Sequence, residues 1–281
     1  MNSVYRGRLA LITGGSSGIG LELARLLAKD GTSLILLARD AQKLEAARQE
    51  LSKETDVSGQ KLAVYSCDVS DAESVQKAAN DIILRFGTPD FIFNCAGVAR
   101  PGYVEELPLE VYKWTMDIDY HGTVNVTKAF LNGMIARGSG HIINISSLAG
   151  VIGTFGYTAY SAAKFAVRGF SDTLRAELKP KGLKVSIVYP PDTDTPQLKW
   201  ESQFKPAETA ILAGSDKPLP ARDVANTILK EAAKGKYAII PGAQAKMMYW
   251  MATHLGGLVY KIMDMLVNNA IKKKSTRSTK K

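Results

Sequence analysis

Short apolar runs alternate with longer segments of helical periodicity along most of the chain. Because both faces of these runs are apolar, they are typical of parallel strands that helices cover on both sides. The pattern predicts one α/β domain over residues 1–281, a doubly wound parallel sheet of about seven strands that binds ligands beyond the carboxyl ends of the strands. The predicted strands are LALIT (9–13), SLILLA (33–38), LAVYS (62–66), FIFN (91–94), HIINI (141–145), KVSIVY (184–189) and YAII (237–240).

The net charge of +9 is concentrated at the end of the chain. Residues 272–281, KKKSTRSTKK, hold six basic residues and no acidic one. The excess positive charge is therefore a tail and not a basic face of the folded domain, so we expect no nucleic-acid partner. A solvated tail and attraction to anionic lipid both fit this composition. The two cysteines, Cys67 and Cys95, indicate neither a disulfide framework nor a metal site, which favours a cytoplasmic protein. We expect no signal peptide, and no apolar run of the roughly 18 residues that could span a bilayer.

A glycine-rich turn, TGGSSGIG (13–20), joins the first predicted strand to a helix, and its glycines follow the pattern Gly-x-x-x-Gly-x-Gly. Glycine permits a tight turn and close approach of the backbone to a pyrophosphate, which the positive end of the helix then favours. The turn is therefore predicted to bind a dinucleotide through Gly14, Ser16, Ser17, Gly18, Ile19 and Gly20.

The end of the second strand, LLAR, indicates which dinucleotide is bound. Enzymes that use NAD usually carry an acid here for the ribose 2′-hydroxyl, whereas this chain has Arg39, with Lys43 one helical turn later. Two cations near the serines of the turn suit a 2′-phosphate, so the predicted cofactor is NADPH/NADP+. Asp40 is better explained as the N-cap of the next helix.

Tyr160 and Lys164 are four residues apart, so they share one face of a predicted helix, and Ser147 precedes the tyrosine by thirteen residues. A free phenol titrates near pH 10, and a nearby ammonium favours its phenolate. Together with the glycine turn, this spacing resembles the short-chain dehydrogenase/reductase family, with its TGxxxGxG turn and Ser…Tyr-x-x-x-Lys group. The resemblance covers most of the chain and implies hydride transfer in a Rossmann-type fold. It makes Tyr160 the proton donor and Ser147 a hydrogen-bond partner of the substrate oxygen, and it gives Lys164 a contact to the nicotinamide ribose.

Further positions follow in the family's order. Without the resemblance, the aspartate of CDVS (67–70) could be a helix cap and NCAG (94–97) a tight turn. The resemblance implies contacts to adenine, to the cofactor at the tip of the fourth strand and to nicotinamide. By this resemblance, Asp68 contacts adenine. Asn94, Ala96 and Gly97 lie beside the cofactor at the tip of the fourth strand, and Pro190 and Thr195 contact nicotinamide.

The chain departs from the family at Asp119, in the stretch MDIDYHGT (116–123). The usual residue is an asparagine in a long helix, which anchors a water relay behind the lysine. A carboxylate can also accept a hydrogen bond from water, but it changes the charge balance around Tyr160. Asp119 is predicted to be the fourth member of the catalytic group, with the relay modified.

The stretch YPPDTDTP (189–196) has proline where the family commonly has glycine. With AYSAAKFAVRGF and KPAET, it resembles the branch of the family that reduces a long-chain 3-keto amine of sphingolipid synthesis. That resemblance implies a membrane-resident lipid ketone as substrate. Another hydrophobic ketone, such as a steroid, a retinoid or an acyl ketone, is an alternative, and so is a non-catalytic NADP(H)-sensing scaffold. Residues 196–222 are predicted to form a substrate lid, or else an ordinary surface insertion.

Residues 244–281 form a C-terminal extension that ends in the basic tail. A stripe of apolar residues at helical intervals predicts an amphipathic helix that lies in a membrane interface, or else packs on the core or at a dimer interface. The stripe consists of Met247, Met251, Leu255, Leu258, Ile262, Leu266 and Ala270. We therefore expect peripheral contact with the cytosolic face of a membrane, and a homodimer or homotetramer.

Overall fold

The computed structural model describes residues 3–55, 59–213 and 217–278. Seven strands form one parallel sheet: β1 (Leu9–Thr13), β2 (Ser33–Ala38), β3 (Leu62–Ser66), β4 (Phe91–Asn94), β5 (His141–Ile145), β6 (Lys184–Val188) and β9 (Ala238–Ile239). Two short strands, β7 (Thr193–Asp194) and β8 (Leu219–Pro220), pair separately. The large sheet has the order β3-β2-β1-β4-β5-β6-β9. The predicted parallel α/β fold is confirmed, and each predicted strand matches to within one residue at either end.

The strand order reverses between β1 and β4, which lie side by side in the sheet but are far apart in sequence. Crossovers leave these two strands in opposite directions, so their carboxyl ends flank a crevice, the usual ligand site of such sheets. Eleven helices are described: α1 (Gly18–Lys29), α2 (Ala41–Ser52), α3 (Ala72–Phe86), α4 (Leu109–Met116), α5 (Gly122–Arg137), α6 (Thr158–Leu178), α7 (Pro196–Glu201), α8 (Ala207–Ala213), α9 (Ala221–Ala233), α10 (Ala243–His254) and α11 (Leu258–Ser278).

Neighbouring residues on β1 show why the strands lack a polar face. Ile12 belongs to the core cluster under α1, α2 and α9, whereas Leu11 belongs to the cluster under α3, α5 and α6. Both side chains are fully buried. Burial of each such side chain stabilises the fold by about 1.5–3 kcal/mol.

The helix that carries Asp119 contains one wide turn. Residues Asp117–His121 form a π turn between α4 and α5, so residues 109–137 are one helix with an extra residue in its middle. Such turns are rare and frequently occur at functional sites. The turn leaves Asp117 exposed and buries Asp119 completely.

The prediction of one continuous C-terminal apolar stripe is wrong. The segment forms two helices, α10 and α11, and the break between them contains Gly256, whose positive φ of 53° suits glycine. Met247, Leu258 and Leu266 are exposed. In contrast, Ala270 is buried. Among the described residues, no helix combines the length and the apolar character that crossing a membrane requires.

Part of the predicted basic tail is helical and bonded to the fold. The helix α11 extends to Ser278, and the Lys274 ammonium donates hydrogen bonds to Glu208 Oε1 at 2.8 Å and to the Tyr103 hydroxyl at 2.9 Å. The Tyr103 hydroxyl in turn donates to Glu208 Oε2 at 2.7 Å. These three side chains tie α11 to α8 and are called the α8–α11 tie below. Residues 279–281 of the predicted tail lie outside the described residues.

Candidate active site

The glycine turn after β1 is shaped by backbone contacts that a side chain would prevent. Gly14 and Gly18 have positive φ angles of 65° and 55°, which favour glycine. A Cβ on Gly20 would lie only 2.5 Å from the carbonyl oxygen of Gly14. Ser17 precedes α1 in extended backbone, and its hydroxyl does not cap the helix. Because the turn leads into the positive end of α1 and its glycines let the backbone approach closely, it fits a pyrophosphate.

The tips of β1 and β4 are bonded together at the crevice. The hydroxyl of Thr13 accepts hydrogen bonds from the backbone N–H groups of Cys95 at 3.0 Å and Ala96 at 2.9 Å. A Cβ on Gly97 would lie 3.2 Å from Lys164 Nζ. The predicted cofactor residues Ala96 and Gly97 therefore connect the glycine turn to the catalytic group.

The side chain of Asn94 belongs to a hydrogen-bond network within the fold. Its buried amide donates to Asn144 Oδ1 at 2.8 Å and to Thr127 Oγ1 at 3.2 Å, and Asn144 donates to Ser171 Oγ at 2.9 Å. The network joins β4 and β5 to α5 and α6. The side-chain nitrogen of Asn94 is therefore engaged within the fold.

The cations at the end of β2 lie at the protein surface. Arg39 and Lys43 are both exposed, and Lys43 Nζ is 3.5 Å from Asp40 Oδ2. Asp40 caps α2, since its Oδ1 accepts hydrogen bonds from the backbone N–H groups of Gln42 and Lys43, each at 3.0 Å. The predicted cap role of Asp40 is confirmed.

Asp68 lies in the loop after β3, and it does not cap α3. Its Oδ1 accepts hydrogen bonds from the backbone N–H of Ser70 at 3.0 Å and from the Ser70 hydroxyl at 2.6 Å. The cap of α3 is Asp71, which accepts from the N–H groups of Glu73 and Ser74. The helix-cap alternative for Asp68 is therefore wrong, and the carboxylate stays half-buried beyond the carboxyl end of β3.

Pro190 and Thr195 border the crevice from the loop after β6. The carbonyl of Pro190 accepts a hydrogen bond from the Leu148 N–H at 3.1 Å, and a Cβ on Gly18 would lie 3.2 Å from Thr195 Cγ2. The Thr195 hydroxyl accepts from the Leu198 N–H at 3.2 Å and so caps α7. Thr195 thus links the nucleotide turn to the start of the predicted lid.

A buried ion pair lies at the centre of the site. The side chain of Lys164 is 5% exposed and that of Asp119 is fully buried, with Lys164 Nζ 3.3 Å from Asp119 Oδ2. Lys164 Nζ also donates to the Ile145 carbonyl at 3.1 Å, and Asp119 Oδ1 accepts from the Val98 N–H at 2.7 Å. The ammonium lies 5.4 Å from the centre of the Tyr160 ring.

The pKa of Tyr160 is shifted in the direction opposite to that expected from the Lys164 ammonium alone. Burial raises the pKa of Tyr160 well above its usual value near 10, and the carboxylates of Asp119 and Glu201 raise it further. A hydrogen bond with Ser147 acts in the opposite direction. Burial also raises the pKa of Asp119, although the Lys164 ammonium opposes that shift. Because burial and the neighbouring carboxylates disfavour the phenolate, Tyr160 is held as a neutral phenol, the form that donates a proton.

The two neighbouring serines after β5 have different roles. Ser146 is buried and donates its hydroxyl hydrogen to the Lys164 carbonyl at 3.0 Å, which joins β5 to α6. Ser147 begins a 3₁₀ turn, where its hydroxyl accepts from the Ala149 N–H at 3.2 Å. Ser147 also acts on Tyr160, since a hydrogen bond between the two side chains lowers the pKa of the phenol, whereas the Ser146 hydroxyl is engaged by the Lys164 carbonyl.

Sequence reasoning missed two residues next to Tyr160. The Tyr157 hydroxyl donates a hydrogen bond to Glu201 Oε1 at 3.2 Å, and the rings of Tyr157 and Tyr160 are 5.8 Å apart between centres. Glu201 ends α7 and is only 6% exposed. Burial raises its pKa to about 7, while Lys205 opposes the shift. A glutamate in an irregular segment gives no sequence signal of this burial.

The crevice between β1 and β4, the glycine turn and the Ser147–Tyr160–Lys164 group define a nicotinamide-dependent oxidoreductase. The family model described as short chain dehydrogenase matches residues 8–205. The chain belongs to the short-chain dehydrogenase/reductase family.

Curated relatives and solved structures agree with this membership. The chain is 34% identical to 3-ketodihydrosphingosine reductase of Dictyostelium discoideum, over 93% of this chain and 83% of that protein. It is 38% identical to 3-dehydrosphinganine reductase of Danio rerio, over 86% and 73%.

Two structural relatives contain nicotinamide dinucleotides. A short-chain dehydrogenase/reductase from Burkholderia phymatum, in complex with NAD, has a TM-score of 0.74 at 25% identity, over 84% of this chain and 89% of that one. An alcohol dehydrogenase from Thermococcus sibiricus, complexed with 5-hydroxy-NADP, has a TM-score of 0.71 at 27% identity, over 83% and 94%. The family's cofactor class is thus NAD(P).

Proposed function

We propose that this protein reduces 3-ketodihydrosphingosine to sphinganine with NADPH, a step of sphingolipid synthesis. The observation that carries the proposal is the similarity to reductases of this name over 86–93% of the chain, combined with the Ser147, Tyr160 and Lys164 group. The large apolar side chains of Trp114, Trp200 and Phe204 suit a long alkyl chain. Trp200 lies 6.1 Å from Trp114 and 4.9 Å from Phe204 between ring centres.

The chemistry divides between the cofactor and the side chains. When bound, the reduced nicotinamide supplies a hydride to the carbonyl carbon. The Tyr160 hydroxyl gives its proton to the carbonyl oxygen as negative charge develops there, and the Ser147 hydroxyl hydrogen-bonds the same oxygen. Lys164 and Asp119 lie beside Tyr160 as a buried ion pair. The charges next to the tyrosine are therefore fixed in position when the phenolate is protonated again.

NADPH is preferred to NADH in this proposal because of the exposed end of β2. Arg39 presents a guanidinium there, and Lys43 lies nearby on α2. The adjacent acid, Asp40, caps α2 through Oδ1, and its Oδ2 lies 3.5 Å from Lys43 Nζ. A 2′-phosphate pairs well with these cations.

The segment 196–222 is proposed as a substrate lid. Its helix α7 carries Glu201 and Trp200 to the site, and Thr209 of α8 donates a hydrogen bond to the Phe155 carbonyl at 2.9 Å, just before the helix of Tyr160. The α8–α11 tie then connects this segment to the C-terminal helices. Substrate entry and the position of α11 are therefore coupled in this proposal.

Membrane contact on the cytosolic side is proposed for α10 and α11. These helices expose large apolar side chains near basic ones, a combination that favours the surface of an anionic membrane. The exposed apolar residues are Met247, Met248, Trp250, Leu258, Tyr260, Met265, Leu266 and Ile271. Flotation with phosphatidylserine vesicles tests this contact, and a homodimer seen by light scattering without vesicle binding would favour a subunit interface instead.

The test of the activity is NADPH oxidation with 3-ketodihydrosphingosine in detergent or vesicles, with sphinganine identified by mass spectrometry. We expect turnover that Tyr160→Phe abolishes. If NADPH is consumed with a steroid, retinoid or acyl ketone and not with this substrate, the proposed substrate is wrong. If no ketone is reduced and the Tyr160→Phe protein still supports the protein's biological role, a non-catalytic scaffold is the better explanation.

A further inference from the structure

The proton-transfer group described above does not use Glu201, yet this carboxylate lies next to it. The side chain of Glu201 is held by the Tyr157 hydroxyl at 3.2 Å, and the Tyr157 ring contacts that of Tyr160. The negative charge of Glu201 acts on Tyr160, since it contributes to the raised pKa of that phenol. A substrate carbonyl that reaches Tyr160 therefore comes close to a buried carboxylate.

The charges around Glu201 are not balanced. Lys205 Nζ lies 3.8 Å from Glu201 Oε1 but only 3.3 Å from Asp192 Oδ2, so one ammonium is shared between two carboxylates. The side chain of Asp192 is 54% exposed and is stabilised by water, whereas that of Glu201 is 7% exposed. Arg100, the nearby guanidinium, stacks on Phe204 with 5.1 Å to the ring centre. A buried carboxylate with a distant, shared partner is costly, and a second cation would stabilise it.

We infer that Glu201 binds the ammonium group of an amino-ketone substrate. The inference rests on the proposed function, in which the substrate carries an ammonium on the carbon next to the reacting carbonyl. When the carbonyl oxygen meets the hydroxyl groups of Ser147 and Tyr160, the adjacent ammonium is within reach of the Tyr157–Glu201 pair. The ammonium of the substrate then supplies the second positive charge that the Glu201 carboxylate lacks.

The neighbouring residues separate the two ends of such a substrate. Glu201 ends α7, and Trp200 and Phe204 on either side of it pack against each other at 4.9 Å between ring centres. The polar head is thus assigned to the carboxylate and the alkyl chain to the aromatic surface. A neutral ketone would leave the carboxylate with only the shared Lys205 ammonium as a cationic partner, which makes Glu201 a specificity-determining residue.

The experiment compares two ketones on the full-length enzyme with NADPH. One is 3-ketodihydrosphingosine, and the other is 1-hydroxyoctadecan-3-one, which lacks only the amine. Each ketone is compared by its kcat/KM, and the deaminated ketone by its inhibition constant if its turnover is slow. For Glu201→Gln we expect kcat/KM to fall about 30-fold on the amino ketone, mainly through KM, as for loss of a charged hydrogen bond. The value for the deaminated ketone should stay the same or improve, and Glu201→Asp should recover part of the loss.

A matched control and an independent variant complete the test. Glu208 is another buried carboxylate of the same segment, in the α8–α11 tie, so Glu208→Gln should leave the ratio between the two ketones unchanged. Lys205→Met removes the competing ammonium and, at a pH well above the pKa of Glu201, should lower KM for the amino ketone only. The pH matters because Lys205 also lowers the pKa of Glu201. This variant tests the inference even if Glu201→Gln does not fold.

The outcomes separate the two levels of the proposal. If the wild-type enzyme reduces the amino ketone, but Glu201→Gln weakens both ketones equally, the assignment of Glu201 is overturned and the proposed function stands. The same holds if Lys205→Met raises KM for the amino ketone. If the wild-type enzyme does not reduce the amino ketone while it reduces another lipid ketone, the proposed function fails, and the inference fails with it.

Discussion

Replacing Asp119 with asparagine tests how the buried ion pair controls Tyr160. The side-chain oxygen of asparagine can still accept the hydrogen bond from the Val98 N–H, so the change removes charge and keeps most of the shape. The negative charge of Asp119 opposes the phenolate form of Tyr160. We therefore expect Asp119→Asn to lower the pKa of Tyr160.

The size of the shift follows from two distances that share Lys164 Nζ. This atom lies 3.3 Å from Asp119 Oδ2 and 5.4 Å from the centre of the Tyr160 ring, so Oδ2 is within about 9 Å of the ring centre. At an effective dielectric constant of about 20, one charge at that distance contributes about 1.8 kcal/mol. That energy corresponds to a roughly 20-fold larger ratio of phenolate to phenol at a given pH.

The assay is the pH dependence of kcat/KM for alcohol oxidation with NADP+, because oxidation requires the phenolate of Tyr160. The rate rises with pH as the phenolate forms, so the acid limb should move to lower pH in Asp119→Asn. Asp117→Asn is the matched control: it makes the same change two residues away, on a side chain that is 52% exposed, and should leave the limb in place. An unmoved limb in Asp119→Asn would refute the electrostatic reasoning and make the carboxylate incidental. A great loss of turnover at every pH would instead show that the carboxylate itself is required.

Four other changes test separate parts of the site. Arg39→Ala should raise KM for NADPH about tenfold and leave KM for NADH nearly unchanged; equal effects on both would exclude a 2′-phosphate contact. Tyr160→Phe should reduce turnover by a factor of about 10² to 10⁴ while NADPH fluorescence still reports nucleotide binding, and substantial residual activity would contradict its role as proton donor. The pKa of Glu201 is about 7, so KM for the amino ketone should rise as pH falls below that value, and this dependence should disappear in Glu201→Gln. Lys274→Met should speed hydrogen exchange in α8, whereas Lys273→Met should not; equal exchange in both variants would show that the tie does not hold the helix.

The sheet was predictable from sequence because its strands are buried on both faces. Residues such as Leu11 and Ile12 face opposite helix layers, so each strand is a run of apolar residues with clear ends. The catalytic spacing was equally predictable, since Tyr160 and Lys164 lie on one helix. The N-cap role of Asp40 follows from local backbone chemistry in the same way.

The contacts that sequence reasoning missed join residues far apart in the chain. The hydrogen bond between Tyr157 and Glu201 spans 44 residues, and the one between Lys274 and Glu208 spans 66. Local periodicity contains no information about such pairs. The break at Gly256 was missed for another reason: the apolar stripe continues across it in sequence, although the backbone does not.

The π turn at Asp117–His121 makes the position of Asp119 depend on the number of residues in the helix as well as on their types. A π turn contains one residue more than the α-helical turn that it replaces, so deleting one residue from it would restore a regular helix. The two halves of the helix would keep their faces, whereas the residues inside the turn would change position. Loss of Ile118, for example, would shift Asp119 to the preceding position and away from Lys164, although no side chain of the catalytic group had been changed. An aspartate at the same aligned position in a relative with an unbroken helix would therefore face a different neighbour. At this site a single insertion or deletion, remote from the substrate, is equivalent to replacing a catalytic side chain.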